Sequence, residues 1–516
     1  MRIWALAAAF ACLVSTAEAA PQVTIAQGAL SGSTDTGISV FKDIPFAAPP
    51  TGDNRWRAPQ PAPGWSGTRD ASAYGPICPQ GVHGEGAAIR EVLPESEDCL
   101  TANVWTPETT GKHPVMVWIY GGSFRFGSGA SALYDGMELA QHGVVVVTFN
   151  YRLGWLGFLD LPELAAEHPD EPHGNYGLMD QIAALKWVKA NIASFGGDPD
   201  NVTIFGESAG GMSVNDLMVS PPARGLFNKA ISESGLGLIV TPDEAAAQAA
   251  GADFVKRMNV GDGATAIKNL RAHSVASIIK DETGRGGDGM TPMIDGTILP
   301  DGVAKLFSQG KIAGVPYMAG SNSDEATLKK AIGMSDDDLF KPLGDHLADV
   351  RKIYEADGPV DDATFARLLF DDGLFASGAQ AFAHAAAKGG QPAYVYHFRY
   401  LADLLRGRDK GVGHGGEIVY VFGLHGLANN SATALLASLA SDKDKTVVAQ
   451  TQAYWTNFAK TGDPNGAGLP VWPQSSTAAP QTLVIDDKTE AKAGFLKARL
   501  AVVYAVWTAR SGLPTP

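Results

Sequence analysis

The chain contains runs of consecutive apolar residues that have the length of strands and are typical of strands buried on both faces. Three such runs lie at 115–120, 144–149 and 202–205, and apolar residues at helical spacing occupy 179–195, between the last two runs. Strands that alternate with helices form a parallel sheet covered by helices. The sequence therefore predicts an α/β fold with its functional loops at the carboxyl ends of the strands.

The remaining segments extend this sheet and add a smaller one. Residues 23–46 alternate apolar and polar side chains around glycine-rich turns, which predicts short antiparallel strands. Later apolar runs at 315–319, 393–398 and 482–485 predict further strands, separated by long helical insertions. Because no repeat, low-complexity block or Ser/Gly linker marks a boundary, we expect residues 20–516 to form a single domain.

The beginning of the chain has the pattern of an export signal. Arg2 precedes an apolar stretch at 3–14, and the small residues Ala17 and Ala19 provide a cleavage site. The stretch is shorter than the roughly 20 residues that span a membrane, and no other segment reaches that length. We therefore expect residues 1–19 to be a signal peptide and the mature chain to be exported, periplasmic or secreted, without a transmembrane segment.

Charge and cysteine content narrow the partners and the compartment. The net charge of −15, without a Lys/Arg cluster, repels phosphate backbones and anionic membranes, which argues against nucleic acid as a partner. Cys12 lies in the predicted signal, so Cys78 and Cys99 form the pair left in the mature chain. An even pair in an exported chain favours one disulfide; two separate buried thiols are the alternative.

A glycine-flanked serine follows the third apolar run. Residues 206–210 read Gly-Glu-Ser-Ala-Gly and precede a segment with helical character. A serine at a sharp strand-to-helix turn is presented to a general base, and Gly206 and Gly210 remove side chains that would clash there. The string alone is not diagnostic in a chain with 60 glycines. Its position between strand and helix makes Ser208 the candidate nucleophile.

A second glycine turn follows the first apolar run. Gly121 and Gly122 come directly after Tyr120 and lead into Ser123. Such a turn aims backbone N–H groups above the sheet, where they stabilise a developing oxyanion together with the N–H of Ala209. A plain glycine-rich turn is the alternative.

The acid and the base of an α/β serine hydrolase follow the serine in the chain. His414 lies in the glycine-rich loop 411–416, from which an imidazole can project, whereas His397 alternates within a predicted strand and His346 and His384 have helical surroundings. Asp324 and Glu325 both follow the strand at 315–319, and their spacing alone does not separate them; a solvated acidic turn is the alternative.

Taken together, these motifs resemble the type-B carboxylesterases of the cholinesterase-like α/β-hydrolase family. The resemblance covers residues from about Val23 to Trp507 and rests on seven short motifs, at 96–100, 120–122, 150–152, 205–211, 295–296, 322–325 and 411–415. It implies an α/β-hydrolase fold, with a large and mostly parallel central sheet flanked by helices and a small N-terminal antiparallel sheet. It also implies hydrolysis of small or medium carboxylic esters, without metal or redox cofactor.

The resemblance assigns roles residue by residue. It implies a catalytic triad of Ser208, His414 and Glu325, which selects Glu325 over Asp324. It further implies oxyanion donors at Gly122, Ser123 and Ala209, with the turn shaped by Gly121. Two structural features are implied as well: a disulfide between Cys78 and Cys99 and a buried ion pair between Glu97 and Arg152.

Two departures from the family pattern bear on the substrate. Ser123 replaces the third glycine of the oxyanion loop, which narrows the backbone angles allowed there. No Phe, Tyr or Trp lies between Cys78 and Cys99, so the cation–π contact that cholinesterases offer to choline is missing from this loop. A choline ester is therefore not the expected substrate.

Three further residues are candidates for the substrate pocket: Phe124, Arg125 and Glu207. Arg125 would pair with a carboxylate on the substrate, and an ion pair within the protein is its alternative. A non-catalytic binding protein, or a related lipase, lactonase or amidase, is the alternative function. The sequence does not indicate an oligomeric state.

Overall fold

The computed structural model describes residues 19–81, 93–237, 239–282, 289–356, 358–429 and 434–511. The predicted signal peptide lies outside these residues except for Ala19. In the described part of the chain, no helix is both long and apolar enough to cross a membrane.

A sheet of eleven strands forms the centre of the molecule, in the order β14-β13-β12-β11-β10-β9-β7-β8-β6-β4-β3. The strands of this sheet are β3 (Ser33–Asp35), β4 (Ile38–Pro45), β6 (Thr101–Thr106), β7 (His113–Ile119), β8 (Val145–Phe149), β9 (Gly197–Glu207), β10 (Lys229–Glu233), β11 (Tyr317–Asn322), β12 (Ala393–Phe398), β13 (Gln481–Ile485) and β14 (Glu490–Ala493). The strands from β8 to β13 in this order pair in parallel, and the strands at the two edges pair antiparallel. The predicted α/β sheet is confirmed.

A small sheet of three strands lies at the N-terminal end of the chain: β1 (Gln22–Ile25), β2 (Gly28–Ser31) and β5 (Thr68–Asp70). The strands β1 and β2 are antiparallel, but β5 runs parallel to β2. The expectation of a purely antiparallel small sheet is therefore wrong for β5. The long connection before β5 lets the chain return to the starting end of β2, as parallel pairing requires.

Helices make most of the connections between strands. Those before the centre of the chain are α1 (Met137–Gln141), α2 (Gly154–Phe158), α3 (Pro162–Glu167), α4 (Tyr176–Asn191), α5 (Ala209–Val219), α6 (Glu244–Met258), α7 (Gly263–Ala272) and α8 (Val275–Glu282). Those that follow are α9 (Val303–Ser308), α10 (Asp336–Phe340), α11 (Leu347–Tyr354), α12 (Asp362–Phe370), α13 (Ser377–Lys388), α14 (Ile418–Phe422), α15 (His425–Asn429), α16 (Ala434–Ser438), α17 (Asp442–Thr461) and α18 (Lys497–Ser511).

One hydrophobic core runs through the large sheet and includes side chains from Val23 to Ile485. A second, smaller core lies where α10, α11, α12 and α18 meet. Because the parallel strands are buried on both faces, their polar chemistry is confined to the loops at their ends. The loops that follow β7, β9, β10, β11 and β12 lie at one edge of the sheet, and they carry the candidate site.

Candidate active site

Ser208 occupies a strained turn between β9 and α5. Its backbone angles are φ 56° and ψ −123°, in the left-handed half of the map where residues other than glycine are uncommon. A Cβ at Gly210 would lie 1.9 Å from the carbonyl oxygen of Ile119, and one at Gly206 would lie 2.5 Å from the same oxygen. The turn therefore requires both glycines, as predicted from the sequence, because β7 passes too close for a side chain.

Three side chains that are far apart in the sequence lie in line at this turn. The Ser208 Oγ is 2.8 Å from His414 Nε2, and His414 Nδ1 is 2.6 Å from Glu325 Oε2. Glu325 is fully buried and Ser208 is 7% exposed. A hydroxyl, an imidazole and a carboxylate in this order form a chain along which a proton can leave the hydroxyl.

The loop that carries Glu325 selects this carboxylate over its neighbour. The other oxygen of Glu325 accepts hydrogen bonds of 2.6 Å from the backbone N–H of Asn322 and from the hydroxyl of Ser234. Asp324 faces the guanidinium of Arg367 instead, at 3.5 Å. Its backbone pairs with the His414 loop, since its N–H donates to Val412. Of the two acidic residues left open by spacing, Glu325 is the one in contact with His414.

The glycine turn after β7 approaches the serine closely. A Cβ at Gly121 would lie 2.9 Å from the Ser208 Cβ, and Gly122 has φ 102°, an angle that glycine tolerates. Within the described residues, the N–H groups of Gly122, Ser123 and Ala209 donate to no other group of the protein. Donors left in this state next to a nucleophile are suited to a developing oxyanion.

Ser123 carries the backbone strain that its replacement of glycine implies. Its φ is 55°, and the following Phe124 has φ 59°. The loop is held in this conformation from outside, because the N–H of Gly154 in α2 donates to the carbonyl oxygen of Phe124 at 2.8 Å. The strained turn is therefore supported by the neighbouring helix as well as by its own hydrogen bonds, from the N–H groups of Arg125 and Phe126 to the carbonyl oxygen of Gly122.

Three more glutamates are buried around the triad, and their roles are not apparent from the sequence. Glu207 Oε1 lies 3.3 Å from His414 Nε2. Glu417 accepts from the amide of Asn322 and lies 3.5 Å from the Ser234 hydroxyl. Glu233 ends β10 and accepts from the Trp455 indole at 2.9 Å. The sequence offers one indication of Glu417: it follows His414 by three residues in the same loop, so its side chain can lie near the imidazole.

This cluster of carboxylates sets the protonation of the site. Burial raises the pKa values of Glu207, Glu233 and Glu417 above the usual range of glutamate. Burial opposes the charged form of His414, but the nearby carboxylates Glu207 and Glu325 outweigh it and raise the pKa of the imidazole. The site thus favours the imidazolium, the form that the base must take after it has accepted a proton from Ser208.

The other histidines considered from the sequence lie elsewhere. His397 is in β12, where burial lowers its pKa to about 3, and it faces the Ser321 hydroxyl at 3.3 Å. His384 is in α13 and contacts Ser475, and burial lowers its pKa to about 4. As predicted from the sequence, His397 lies in a strand and His384 in a helix, and both are away from Ser208.

The three candidate pocket residues have different surroundings. Phe124 is buried with its ring edge on Phe158, at a centroid distance of 5.3 Å. Arg125 donates from Nη2 to the carbonyl oxygen of Glu282 at 2.7 Å, which ties it to α8. Glu207 lies beside the imidazole, as described above. Arg125 therefore has a hydrogen-bond partner within the protein; this partner is a backbone carbonyl oxygen, whereas the alternative considered from the sequence is an ion pair.

The expected ion pair between Glu97 and Arg152 is wrong, because both residues have other partners. Both oxygens of Glu97 accept from Arg55 at 2.6 Å. Arg152 forms two hydrogen bonds, of 2.7 and 2.8 Å, with the fully buried Asp180 of α4. A buried aspartate without a cation would be costly, and Arg152 is the cation that reaches it.

The disulfide between Cys78 and Cys99 is present. The two cysteines are 21 positions apart in the sequence, and both are buried. On the chain-entropy estimate a loop of this length stabilises the fold by roughly 3 kcal/mol.

Among the described residues, side chains that could hold a metal ion cluster at Asp160, His173 and Glu244 and not at Ser208. At Ser208 the imidazole and the carboxylates contact one another and the serine. The arrangement can therefore activate a hydroxyl, hold an oxyanion and return a proton, which together are the requirements of acyl transfer.

Comparison with known proteins gives the same class of chemistry. The model of the carboxylesterase family matches residues 19–503. Para-nitrobenzyl esterase of Bacillus subtilis (strain 168) is 36% identical over 494 residues, which cover 90% of this chain and 95% of that protein. Fumonisin B1 esterase of Sphingopyxis macrogoltabida is 37% identical over 464 residues, which cover 87% and 83% of the two chains.

The fold is shared with solved structures over nearly their whole length. A PNB esterase superposes with a TM-score of 0.78 at 33% identity, covering 93% of this chain and 99% of that one. A thermophilic PNB esterase gives a TM-score of 0.81 at 33% identity, covering 94% and 99%.

Proposed function

This chain belongs to the carboxylesterase family and is a carboxylic-ester hydrolase, and from this we propose that it works through an acyl-enzyme on Ser208. The observation that carries the proposal is the continuous line from the Ser208 hydroxyl through His414 to Glu325. A serine hydroxyl is a weak nucleophile until such a base is in contact with it.

In the proposed reaction the Ser208 Oγ attacks the ester carbonyl while His414 Nε2 takes its proton. The N–H groups of Gly122, Ser123 and Ala209 stabilise the oxyanion of the tetrahedral intermediate. When the intermediate collapses, the C–O bond to the alcohol breaks and His414 returns the proton to the leaving oxygen. Water then attacks the acyl-enzyme by the same route and releases the acid and the free serine.

Glu325 has a positioning role in this scheme. Its contact with Nδ1 keeps that nitrogen protonated, so that Nε2 is the nitrogen free to accept the proton from Ser208. The hydrogen bonds from Ser234 and Asn322 fix the carboxylate in turn. We assign no metal or redox cofactor to this reaction, because every proton and electron pair is accounted for by the side chains named above.

Small or medium carboxylic esters are the proposed substrates. Two relatives are named as a para-nitrobenzyl esterase and a fumonisin B1 esterase. The missing aromatic residue in the disulfide loop argues against choline esters. A series of p-nitrophenyl esters of increasing acyl length measures the preferred acyl group directly.

Replacement of the nucleophile tests the mechanism. Ser208→Ala should lower kcat for a p-nitrophenyl ester by about 10⁴-fold or more, because the attacking oxygen is removed. Ser194→Ala, at a partly exposed serine whose hydroxyl donates to the Thr24 carbonyl oxygen, is the matched control and should retain full activity. Unchanged hydrolysis by Ser208→Ala would refute the assignment.

Labelling with a fluorophosphonate separates the esterase from a non-catalytic binding protein of the same fold. The esterase forms one covalent adduct per chain on Ser208, located by peptide mass spectrometry. A binding protein without a working triad does not react.

We also propose that the mature chain is exported to an oxidising compartment. The disulfide supports this, because such bonds form and persist outside the cytosol. N-terminal sequencing of the protein recovered from the periplasm and the medium locates both the cleavage site and the compartment.

A further inference from the structure

A second cluster of ionisable side chains lies outside the triad, at Asp160, His173 and Glu244. Asp160 is in the connection between α2 and α3, His173 precedes α4, and Glu244 is the first residue of α6. One ring nitrogen and one oxygen from each carboxylate all lie within 4.8 Å of one another. Three segments of the chain therefore bring metal-type donor atoms to one place.

Only one oxygen of the buried carboxylate in this cluster has a hydrogen-bond partner among the described residues. Asp160 is 1% exposed, and its Oδ1 is 2.6 Å from His173 Nδ1. Its other oxygen, Oδ2, is buried and has no hydrogen-bond partner among the described residues. A buried oxygen without a partner costs about 1–3 kcal/mol, and more when the group is charged. The contact with His173 satisfies one oxygen and leaves the second one without a donor.

We propose that Asp160, His173 and Glu244 bind a divalent transition-metal ion, of which Zn²⁺ is the best match. Imidazole nitrogen and carboxylate oxygen are both ligands that zinc takes in proteins, and a zinc ion with three protein ligands keeps water at the remaining position. Calcium and magnesium prefer oxygen ligands alone, so the imidazole disfavours both. His173 and Glu244 are partly or fully exposed, which gives the ion a path from solvent.

Binding exchanges a proton for the metal. The contact of 2.6 Å between His173 Nδ1 and Asp160 Oδ1 raises the pKa of the imidazole against the opposing effect of burial. When Zn²⁺ enters, a ring nitrogen and the two carboxylates donate lone pairs to it, and the proton displaced from the imidazole is released to solvent. A bound cation would also offset the cost of burying the Asp160 carboxylate, whose Oδ2 has no hydrogen-bond partner among the described residues.

The site joins the helices that support the oxyanion loop. Phe254 of α6 stacks on Trp155 of α2, with ring centroids 4.7 Å apart. The adjacent Gly154 donates to the carbonyl oxygen of Phe124. A metal bound between α6 and the connections on either side of α3 would hold α6 and α2 in place beside the oxyanion loop. The expected effect is on thermal stability, and it does not depend on the reaction proposed for Ser208.

Zinc titration of the full chain without an affinity tag tests the proposal. After removal of metals by a chelator, isothermal titration should show one Zn²⁺ per chain, and Zn²⁺ should raise Tm in a saturable manner. Glu244→Gln and His173→Asn should each weaken binding by at least about tenfold, a loss typical even of outer contacts to a metal. Because Glu244 is exposed, its variant is not expected to disturb folding.

His113→Asn is the matched control. His113 lies 3.1 Å from Glu108, and among the described residues no third candidate ligand joins this pair, so this variant should bind zinc like the wild type. Ser208→Ala should also retain the zinc response, which separates this site from the proposed triad. The proposal fails if wild type binds no Zn²⁺, if both ligand variants bind it unchanged, or if Ca²⁺ or Mg²⁺ stabilises the chain and Zn²⁺ does not.

Discussion

Two histidine–carboxylate pairs with the same geometry have different surroundings in this molecule. His414 Nδ1 is 2.6 Å from Glu325, and His173 Nδ1 is 2.6 Å from Asp160. Both carboxylates are buried. The further neighbours differ: a serine hydroxyl lies next to His414 together with the carboxylate of Glu207, whereas the carboxylate of Glu244 lies next to His173. The pair itself therefore does not define a function.

The difference teaches that the hydroxyl beside the imidazole decides what the imidazole can do. A hydroxyl held at 2.8 Å has a proton that the imidazole can take, so the first pair is suited to the role of base proposed for it. A carboxylate has no proton to give at neutral pH and offers only lone pairs, so the second pair is suited to a cation. Each of the following predictions changes one side of this comparison.

The largest effect is expected from loss of charge on the two buried carboxylates. Glu325→Gln should lower kcat by about 10³–10⁴-fold, because the amide no longer stabilises the imidazolium or holds the correct tautomer. Asp160→Asn is its counterpart and should leave kcat within a few-fold of wild type when assayed well below Tm. Steady-state kinetics on one p-nitrophenyl ester measures both; equal losses in the two variants would contradict the distinction.

The next effect concerns the charge next to His414. Activity requires the neutral imidazole, so kcat/KM rises with pH as His414 loses its proton, with a midpoint above the ordinary value of about 6.5. Glu207→Gln removes an anion that favours the imidazolium and should move this midpoint down by about one unit.

The pH dependence of kcat/KM measures this shift. Glu108→Gln, at an exposed carboxylate beside His113, is the control and should leave the midpoint unchanged. A profile that does not move in Glu207→Gln would show that Glu207 does not act on the base.

A smaller effect is expected at His173. Its pKa is raised in the folded chain by the hydrogen bond to Asp160, with Glu244 and Asp295 also nearby. Its stabilising contribution is therefore complete below the unfolded value of about 6.5 and is lost as the pH rises through the higher folded value.

Urea unfolding in a chelator measures this contribution. His173→Asn should cost at most about 1 kcal/mol at low pH and less at high pH. The stabilisation by zinc should change in the opposite direction and increase with pH, because protons compete with the metal. A zinc effect that increased toward low pH would argue against coordination by the imidazole.

The smallest effect concerns the oxyanion loop, which has no counterpart at His173. Ser123→Gly should relieve the positive φ and stabilise the fold by at most about 1 kcal/mol, since glycine also loses more entropy on folding. Activity should stay within a few-fold of wild type. Ser131→Gly is the control at a negative φ and should destabilise, since the Ser131 hydroxyl accepts from Leu133. Both are measured by urea unfolding.

The parts of the structure that the sequence predicts are those with a strong local pattern. The apolar runs of β7, β8 and β9 indicate buried strands, and the glycines around Ser208 and before Ser123 mark turns that only small residues allow. These two signals, with the order of serine, acid and histidine, indicate Ser208 and His414, whereas the choice of Glu325 over Asp324 comes from the resemblance to the family.

The apolar runs in the sequence do not predict β6 and β10. Both strands are buried although they carry polar side chains. In β6 the side chain of Asn103 donates to Thr148, and Thr106 donates to the carbonyl oxygen of Phe195. In β10 only Ala230 and Ile231 are apolar, although the whole strand is buried. Satisfied polar groups can be buried as readily as apolar ones, and no period in the sequence shows which partner satisfies them.

The same reason accounts for the ionic contacts. Neither the pairing of Glu97 with Arg55 nor the meeting of Asp160, His173 and Glu244 follows from spacing, because each joins segments that approach only in the folded chain. Charged residues have several partners within reach of their long side chains, and the choice among them depends on details of packing.

The loops of Glu325 and His414 are hydrogen-bonded to each other as well as through their side chains. Asp324 donates to the Val412 carbonyl oxygen, the His414 N–H donates to the Thr327 hydroxyl at 2.9 Å, and the Asn322 amide donates to Gly413. Acid and base, 89 positions apart, thus belong to one small structural unit. Evolution can lengthen, shorten or replace the helical insertion between them without altering the distance on which the reaction depends.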